Sequence, residues 1–240
     1  MTDYADVPIR PASTVVLLRD GDDDLEVLMV QRNRKLVFAG GFWVFPGGAV
    51  DDADRERANG DEDEAARIAA SREAQEEAGV TPDPNDMVLI SHWTTPVGEP
   101  RRFSTWIYAG AIEPDATITI DGGEIHDHQW IGVGAAIDKH IAGNLQMLPP
   151  TYITLLALRR YRTTDEALAG ERETPCPRVI PLMLPIEGEG GFITLYEGDV
   201  SFDSGDMSLD GPKHRTTLQD GRWVYEYSGV TDFPPLYPQD

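Results

Sequence analysis

The chain is short of positive charge and almost devoid of cysteine. Twenty Lys and Arg face 42 Asp and Glu, for a formal net charge of −22 and a pI near 4.4. A surface of that sign repels a nucleic-acid backbone and argues against polymeric DNA or RNA as a partner. It leaves room for small anionic substrates, because bound divalent cations invert the field inside a site. Lysine occurs only at Lys35, Lys139 and Lys213, so arginine carries most of the positive charge. A GC-rich genome accounts for that bias, with adaptation to high salt as the second reading. Cys176 is the only cysteine, which excludes an intrachain disulfide and a thiolate metal cluster and fits a reducing cytoplasm. No run approaches the ~18 uninterrupted apolar residues of a membrane span. The start, Met1-Thr2-Asp3-Tyr4-Ala5-Asp6, has neither the basic nor the apolar region of a secretion signal. The expectation is a soluble cytoplasmic protein with no membrane partner.

What is present suffices for one sizeable core, since 40% of the 240 residues are hydrophobic. Residues 12–19 and 25–31 are apolar, β-branched runs separated by Asp20-Gly21-Asp22-Asp23-Asp24, the pattern of a β-hairpin with a polar turn. A calcium-loop reading of the aspartates fails: counted from Asp20, Leu25 stands where the turn glycine belongs and Gln31 where the bidentate glutamate belongs. A short aromatic strand then enters a glycine-rich loop, Gly40-Gly41-Phe42-Trp43-Val44-Phe45-Pro46-Gly47-Gly48. Beyond an acidic segment, residues 64–78 are strong helix formers, with Gly79 as a C-terminal stop and Pro82 past it. Ala66, Ala70 and Ala74 give that helix a narrow face for close packing on a sheet.

Residues 88–93 and 103–112 read as strands, and residues 135–140 and 150–161 as helices. Past residue 174 come short strands broken by glycines, at 178–184, 191–195 and 222–227. Strands and helices mixed without regular alternation indicate an α+β fold, a mixed sheet between helices. The expected division is a catalytic domain over 1–173 and an extension over 174–240 packed on it. For the extension, covering the substrate pocket, self-association into a homodimer and completing the core are equal candidates.

The chemistry concentrates in Arg72-Glu73-Ala74-Gln75-Glu76-Glu77-Ala78-Gly79-Val80. On a helix, Glu73, Glu76 and Glu77 share one face. Three carboxylates that close repel one another unless a cation sits among them, and hard oxygen ligands suit Mg²⁺ or Mn²⁺. A solvated acidic face is the bland alternative. The segment resembles the Nudix box: a glycine, five residues, a glutamate, seven residues, then Arg-Glu-U-x-Glu-Glu-x-Gly-U, where U is bulky and aliphatic. Arg72, Glu73, Glu76, Glu77, Gly79 and Val80 match, and Glu64 has the spacing of the first glutamate. Ala74 is small for its position, and Ala58 stands where the leading glycine falls. Gly47-Gly48 come about ten residues early, which reads as an insertion over 51–59.

The resemblance, extending over about 13–158, implies a mixed sheet between helices and a loop–helix–loop that binds divalent metal and hydrolyses a nucleoside-diphosphate compound. It implies Glu73, Glu76, Glu77 and Glu64 as metal ligands. Glu124, on a loop before Trp130, becomes a further ligand or the general base. Arg72 is expected to orient a glutamate through a charge-assisted bond. Arg32, Gly47, Gly48, Arg101 and Arg102 are the candidates for substrate phosphates. His126 and His128 alternate like strand neighbours, and solvent exposure is the better reading for them than zinc. Trp43, Trp93, Trp106 and Tyr108 are read as core first and as base-stacking residues second. Arg32, Gly41 and Phe45-Pro46-Gly47-Gly48 partly match the motif that precedes the box in coenzyme A diphosphatases, with Val37 in place of an arginine. Trp93-Thr94-Thr95-Pro96, Arg101-Arg102-Phe103-Ser104-Thr105, Glu124, Trp130 and Pro149-Pro150-Thr151 are similar to the group that includes the peroxisomal acyl-CoA diphosphatases. The alternatives kept open are ADP-ribose, a nucleotide sugar or a dinucleotide polyphosphate as substrate, and a nucleotide-sensing module without catalysis.

Overall fold

A computed structural model describes residues 7–22, 24–35, 39–186 and 191–239. Residues 1–6, Asp23 and Val37, on which parts of the sequence reading fell, lie outside that set.

The hairpin forms as its turn chemistry dictates: β1 (Ile9–Asp20) runs antiparallel to β2 (Leu25–Arg32), with Leu18 opposite Val27. Strands β3 (Trp43–Val44) and β4 (Gly47–Ala49) flank Phe45-Pro46. β3 pairs with β2, and β4 with β1. Then follow two helices, α1 (Asp52–Arg57) and α2 (Glu62–Ala78). Strands β5 (Val88–Thr94), β6 (Arg102–Ala111) and β7 (Ile125–Gly132) complete the amino-terminal contribution to an eight-stranded mixed sheet. The long central pairing is parallel, β1 with β6, from Ile9–Arg102 to Leu18–Ala111.

Alternation along β1 sends its side chains to two layers. Val15 and Leu17 pack under α2, whose Ala65, Ala66, Ala69, Ala70, Ala74 and Ala78 are completely buried. Small side chains on that stripe let the helix lie close to the sheet. Val16 and Leu18 face the other layer, built from α3 (Val133–Ile141) and α4 (Pro149–Leu158). The helix α2 begins at Asp61, whose side chain accepts from the Glu64 N–H, and ends at Gly79 in the left-handed conformation, φ 74°.

The segment after α4 holds a helix that the sequence reading did not place, α5 (Thr164–Glu173). Next, β8 (Arg178–Val179) joins the main sheet beside β5. Strands β9 (Leu182–Pro185), β10 (Phe192–Leu195), β11 (Lys213–Gln219) and β12 (Arg222–Ser228) form a second, antiparallel sheet; β11 was also not anticipated. A buried pair stiffens this sheet, with Arg215 donating from Nε and Nη2 to the two carboxylate oxygens of Asp199, both at 2.7 Å. Trp223 ties the sheet to the main core: its backbone N–H donates to His140 Nε2 at 2.8 Å and its indole to the Met147 carbonyl at 2.9 Å. Burial keeps His140 neutral by lowering its pKa, which suits an Nε2 that accepts. Among the described residues no helix is long and apolar enough to cross a membrane.

Candidate active site

The glycine loop and the acidic helix meet at Gly47 and Gly48. The Gly47 N–H donates to Glu77 Oε2 at 2.9 Å. A Cβ on Gly47 would collide with backbone, the Ser13 carbonyl and Thr14 Cα, and one on Gly48 would displace the Glu73 carboxylate. Gly47 thereby lies close on the neighbouring strand, with its N–H turned to Glu77, and Gly48 lies close on the Glu73 carboxylate. The residues between loop and helix, read as an insertion, fold as α1 and end in a left-handed pair, Asn59 at φ 50° and Gly60 at φ 85°. Looping out in this way leaves Gly47-Gly48 against Glu73 and Glu77. Ala58, at the box position for the leading glycine, is instead buried under α2.

Arg72 organises the rim. Its Nε and Nη2 donate to the two oxygens of Asp54 at 3.2 and 2.9 Å, and Nη2 also reaches the Ala49 carbonyl at 2.9 Å. Its Nη1 donates to Glu73 Oε1 at 2.9 Å and lies 3.4 Å from Glu76. The bond to Asp54, opposed by burial and aided by Glu73, raises the Arg72 pKa further. Asp54, 1% exposed and accepting from the Asp51 N–H at 3.0 Å, was missed in the sequence. Its signal was the Asp51-x-x-Asp54 spacing of a helix start.

The three box glutamates do not converge equally. Glu73 and Glu77 are withdrawn against the loop, with side chains 15% and 8% exposed, while Glu76 is 58% exposed and turned toward Arg72. Among the described residues no three Asp, Glu, His or Cys side chains stand together as a ready cage for an ion. The structure thus brings Glu73 and Glu77 together against the loop and leaves Glu76 at the exposed rim beside Arg72. Burial, repulsion from Glu73 and from Glu124, set against the Gly47 N–H and Arg32, pushes Glu77 up to about 7. Burial also raises Glu73, partly offset by Arg72.

Arg32 closes the site from the sheet. The β2–β7 register shifts between Gln31 and Arg32, a bulge of the kind that re-aims a side chain. Its guanidinium lies 4.0 Å from Glu77 and 3.6 Å from Glu124, and its buried Nε has no partner among the described residues. Glu124 is 63% exposed, on a loop gathered by Asp121, whose carboxylate accepts from the N–H groups of Gly123, Glu124 and Ile125.

Other candidates fall elsewhere. Glu64 is exposed in the first turn of α2, nine residues and so about 14 Å along the axis from Glu73. It lines a separate surface cavity with Asp61, Asp63 and Arg67, so it is not brought to the cluster. Arg101 is exposed, and Arg102 is 8% exposed with its Nε donating to the Thr95 carbonyl. His126 is exposed and His128 half-buried. Trp93 and Tyr108 are buried, Tyr108 donating to Asp63 at 2.8 Å, while Trp43 and Trp106 are half-buried.

This combination of a mixed sheet between helices with a glycine loop seated on an Arg-Glu helix is matched by the NUDIX domain family over residues 8–150. The chain belongs to the Nudix family and is a hydrolase of that family. It is 27% identical over 213 residues to "Putative nudix hydrolase 7" of Caenorhabditis elegans, covering 73% of this chain and 69% of that one. It is 37% identical over 139 residues to "Peroxisomal coenzyme A diphosphatase ndx-8" of the same organism, covering 55% of this chain and 54% of that one. A crystal structure of a NUDIX hydrolase from Alicyclobacillus acidocaldarius superposes with a TM-score of 0.62 at 25% identity, covering 69% of this chain and 97% of that chain.

Proposed function

We propose that the protein hydrolyses a phosphoanhydride bond in a nucleoside diphosphate joined to another moiety, with coenzyme A and acyl-CoA as the substrate class and Mg²⁺ or Mn²⁺ as cofactor. The observation that carries the reading is the seating of Glu73 and Glu77 against Gly47-Gly48, with Arg32 between Glu77 and Glu124. The residues fit a divalent ion. Their donors are hard oxygens, and burial, with repulsion from Glu73 and Glu124 added, pushes Glu77 up to about 7, a cost of ionisation that a bound cation would offset. Glu73 and Glu77 would hold it, with Glu76 and Glu124 within the same acidic rim. When bound, such an ion supplies charge neutralisation at the diphosphate and a water of lowered pKa.

The chain's own groups do the rest. Arg32, with a donor to spare, grips an anionic phosphate oxygen. Gly47 and Gly48 hold the Glu77 and Glu73 carboxylates against the loop backbone, at the place where the ion would sit. Glu124 takes the proton of the attacking water as its oxygen bonds to phosphorus, and the bridging P–O bond breaks to release the second phosphate group. Arg72 touches no substrate and fixes the rotamer of Glu73. Glu64 and Arg101 and Arg102 have no part in this scheme. The proposed setting is the cytoplasm, argued from the single cysteine, with 1–173 as catalytic unit and 174–240 as its appendage.

The coenzyme A class is favoured by the relative named as a coenzyme A diphosphatase and by the apolar cavity described below. The test is a panel of CoA, octanoyl-CoA, ADP-ribose, nucleotide sugars and dinucleotide polyphosphates, with Mg²⁺ or Mn²⁺ and with chelator. Release of 3′-phosphoadenosine 5′-phosphate from CoA or octanoyl-CoA, abolished by chelator, is expected. Its absence with cleavage of another compound removes the coenzyme A class, and no cleavage of any compound removes the hydrolytic reading.

A further inference from the structure

A cavity of about 290 Å³ opens beside the glycine loop, near the lower end of the size of small-molecule sites. One wall is the face of β6 that carries Phe103, Thr105 and Ile107, alternate residues of one strand. Thr14 belongs to the same wall: it lies in register with Ile107 on one side and with Gly47 on the other, so the cavity and the glycine loop share a border. The start of α4 contributes Leu148 to Thr151, and the carboxy-terminal sheet, outside the stretch matched by the family, contributes a further part of the lining. Met183 of β9 and Thr194 of β10 are direct cross-strand partners, on one face of that sheet, and both line the cavity.

Two features state what the cavity takes. First, no Lys, Arg or His among the described residues lines it, and Glu99 is its one charged wall residue. An anionic group entering would lose its hydration for repulsion, which excludes the diphosphate and a phosphorylated nucleoside. Val97 and Ile180, each 60% exposed, are the chain neighbours of the lining residues Pro96 and Pro181. Secondly, the Thr194 hydroxyl is buried and has no hydrogen-bond partner among the described residues. An unpaired buried hydroxyl is costly, and a ligand carbonyl in this cavity would satisfy it.

We propose that this cavity binds the uncharged arm of the diphosphate substrate, an amide-containing chain ending in an acyl group, and that Met183 and Thr194 of the carboxy-terminal sheet determine which arm is accepted. The assignment rests on the hydrolase reading for its orientation, with the scissile anhydride on the Gly47 side. The carboxy-terminal sheet thereby becomes part of the substrate site.

The probe is S-octanoyl-pantetheine, which has no anhydride to cleave, titrated into the full chain labelled with ¹³C at the methionine methyls. The Met183 signal is identified by its loss in Met183→Leu. A saturable shift of that signal is expected, weakened about tenfold in Thr194→Val through loss of one hydrogen bond. Binding of the same probe, read by isothermal titration calorimetry because this variant lacks the reporter methyl, is expected to vanish in Met183→Arg. Thr194→Val is nearly isosteric and removes no existing hydrogen bond, so it keeps the proposal testable if Met183→Arg fails to fold. A silent Met183 signal up to the solubility limit, or a shift caused by adenosine in place of octanoyl-pantetheine, overturns the inference. Cleavage of CoA together with a silent Met183 sinks the subsite and spares the hydrolase reading. Binding at Met183 without cleavage of any diphosphate supports the subsite and sinks that reading.

Discussion

Arg72 grips Asp54 with two donors, Nε at 3.2 Å and Nη2 at 2.9 Å, and so bolts the inserted helix α1 to the acidic helix α2. Because the same guanidinium donates to Glu73 at 2.9 Å, the insertion reaches the candidate site through one intermediary. Asp54→Asn leaves Arg72 one neutral acceptor in place of a charged, two-pronged one. Breaking a pair whose carboxylate is 1% exposed is expected to cost about 3 kcal/mol, read as a lower denaturant midpoint at unchanged slope. Turnover should fall at least about tenfold, since Glu73 loses its anchor. Arg72→Lys should reproduce the loss of turnover, because an ammonium cannot make the fork. A variant with normal turnover and normal stability would show that α1 is a passive insertion.

Glu77 supplies a pH dependence. Its pKa is about 7 in the folded chain against an ordinary 4.5, so folding favours its protonated form. The stability linked to it is complete below about pH 4.5 and is lost as pH rises through 7. For this group alone the loss is at most about 3 kcal/mol. Glu77→Gln keeps an oxygen for the Gly47 N–H and removes the titration. In chelator, the melting temperature of the variant relative to the wild type should climb between pH 4.5 and 7. Added Mg²⁺ or Mn²⁺ should narrow that gap by stabilising the charged wild type. A pH-independent difference would place Glu77 in a more solvated setting than its 8% side-chain exposure implies.

Glu124 tests the proton path. Its side chain is 63% exposed and its loop is held by Asp121, so Glu124→Gln should leave the melting temperature within about a degree of the wild type. If it serves as the base, turnover falls about 10²–10⁴-fold with the substrate KM little changed. Unaltered turnover takes Glu124 out of the mechanism and leaves the role to another group.

What was legible in the sequence was local. The helix α2 was marked by strong helix formers, a regular alanine stripe and Gly79, whose φ of 74° few other residues adopt readily. The hairpin β1–β2 was marked by two β-branched runs around an aspartate turn. The parallel pairing of β1 with β6 was not legible, because its partners are some ninety residues apart and parallel strands leave no turn to read. Helix α5 buries little apolar surface, Ala167 and Leu168, with Glu171 bound by Arg160. Periodicity therefore missed it, although its Thr163 cap, accepting from the Glu166 N–H, was there to be read. In the site, the Arg-Glu spacing pointed to Glu73 and Glu77 and the Asp51-x-x-Asp54 spacing to a helix start, whereas the bond from Arg72 to Asp54 and the bulge that aims Arg32 depend on tertiary contacts. Glu64 has the motif spacing, but the length of the helix places it about 14 Å along the axis from Glu73.

Two glycines separate catalytic geometry from backbone strain. Gly48 has no left-handed φ, so alanine fits its backbone, but the added Cβ would collide with the Glu73 carboxylate. Gly60 is the opposite case: its φ of 85° disfavours alanine, while nothing lies within 4 Å of the added Cβ. Gly60→Ala should therefore cost about 1 kcal/mol of stability and leave turnover intact. Gly48→Ala should move Glu73 off the loop and lower turnover by about 10²-fold or more, with a smaller change in melting temperature than that loss would suggest. The pair is measured by denaturant unfolding and by initial rates on the substrate the panel identifies. If both variants lost stability and turnover in the same proportion, the contact between Gly48 and Glu73 would be one of packing, and the seating of that carboxylate would have no separate part in the reaction.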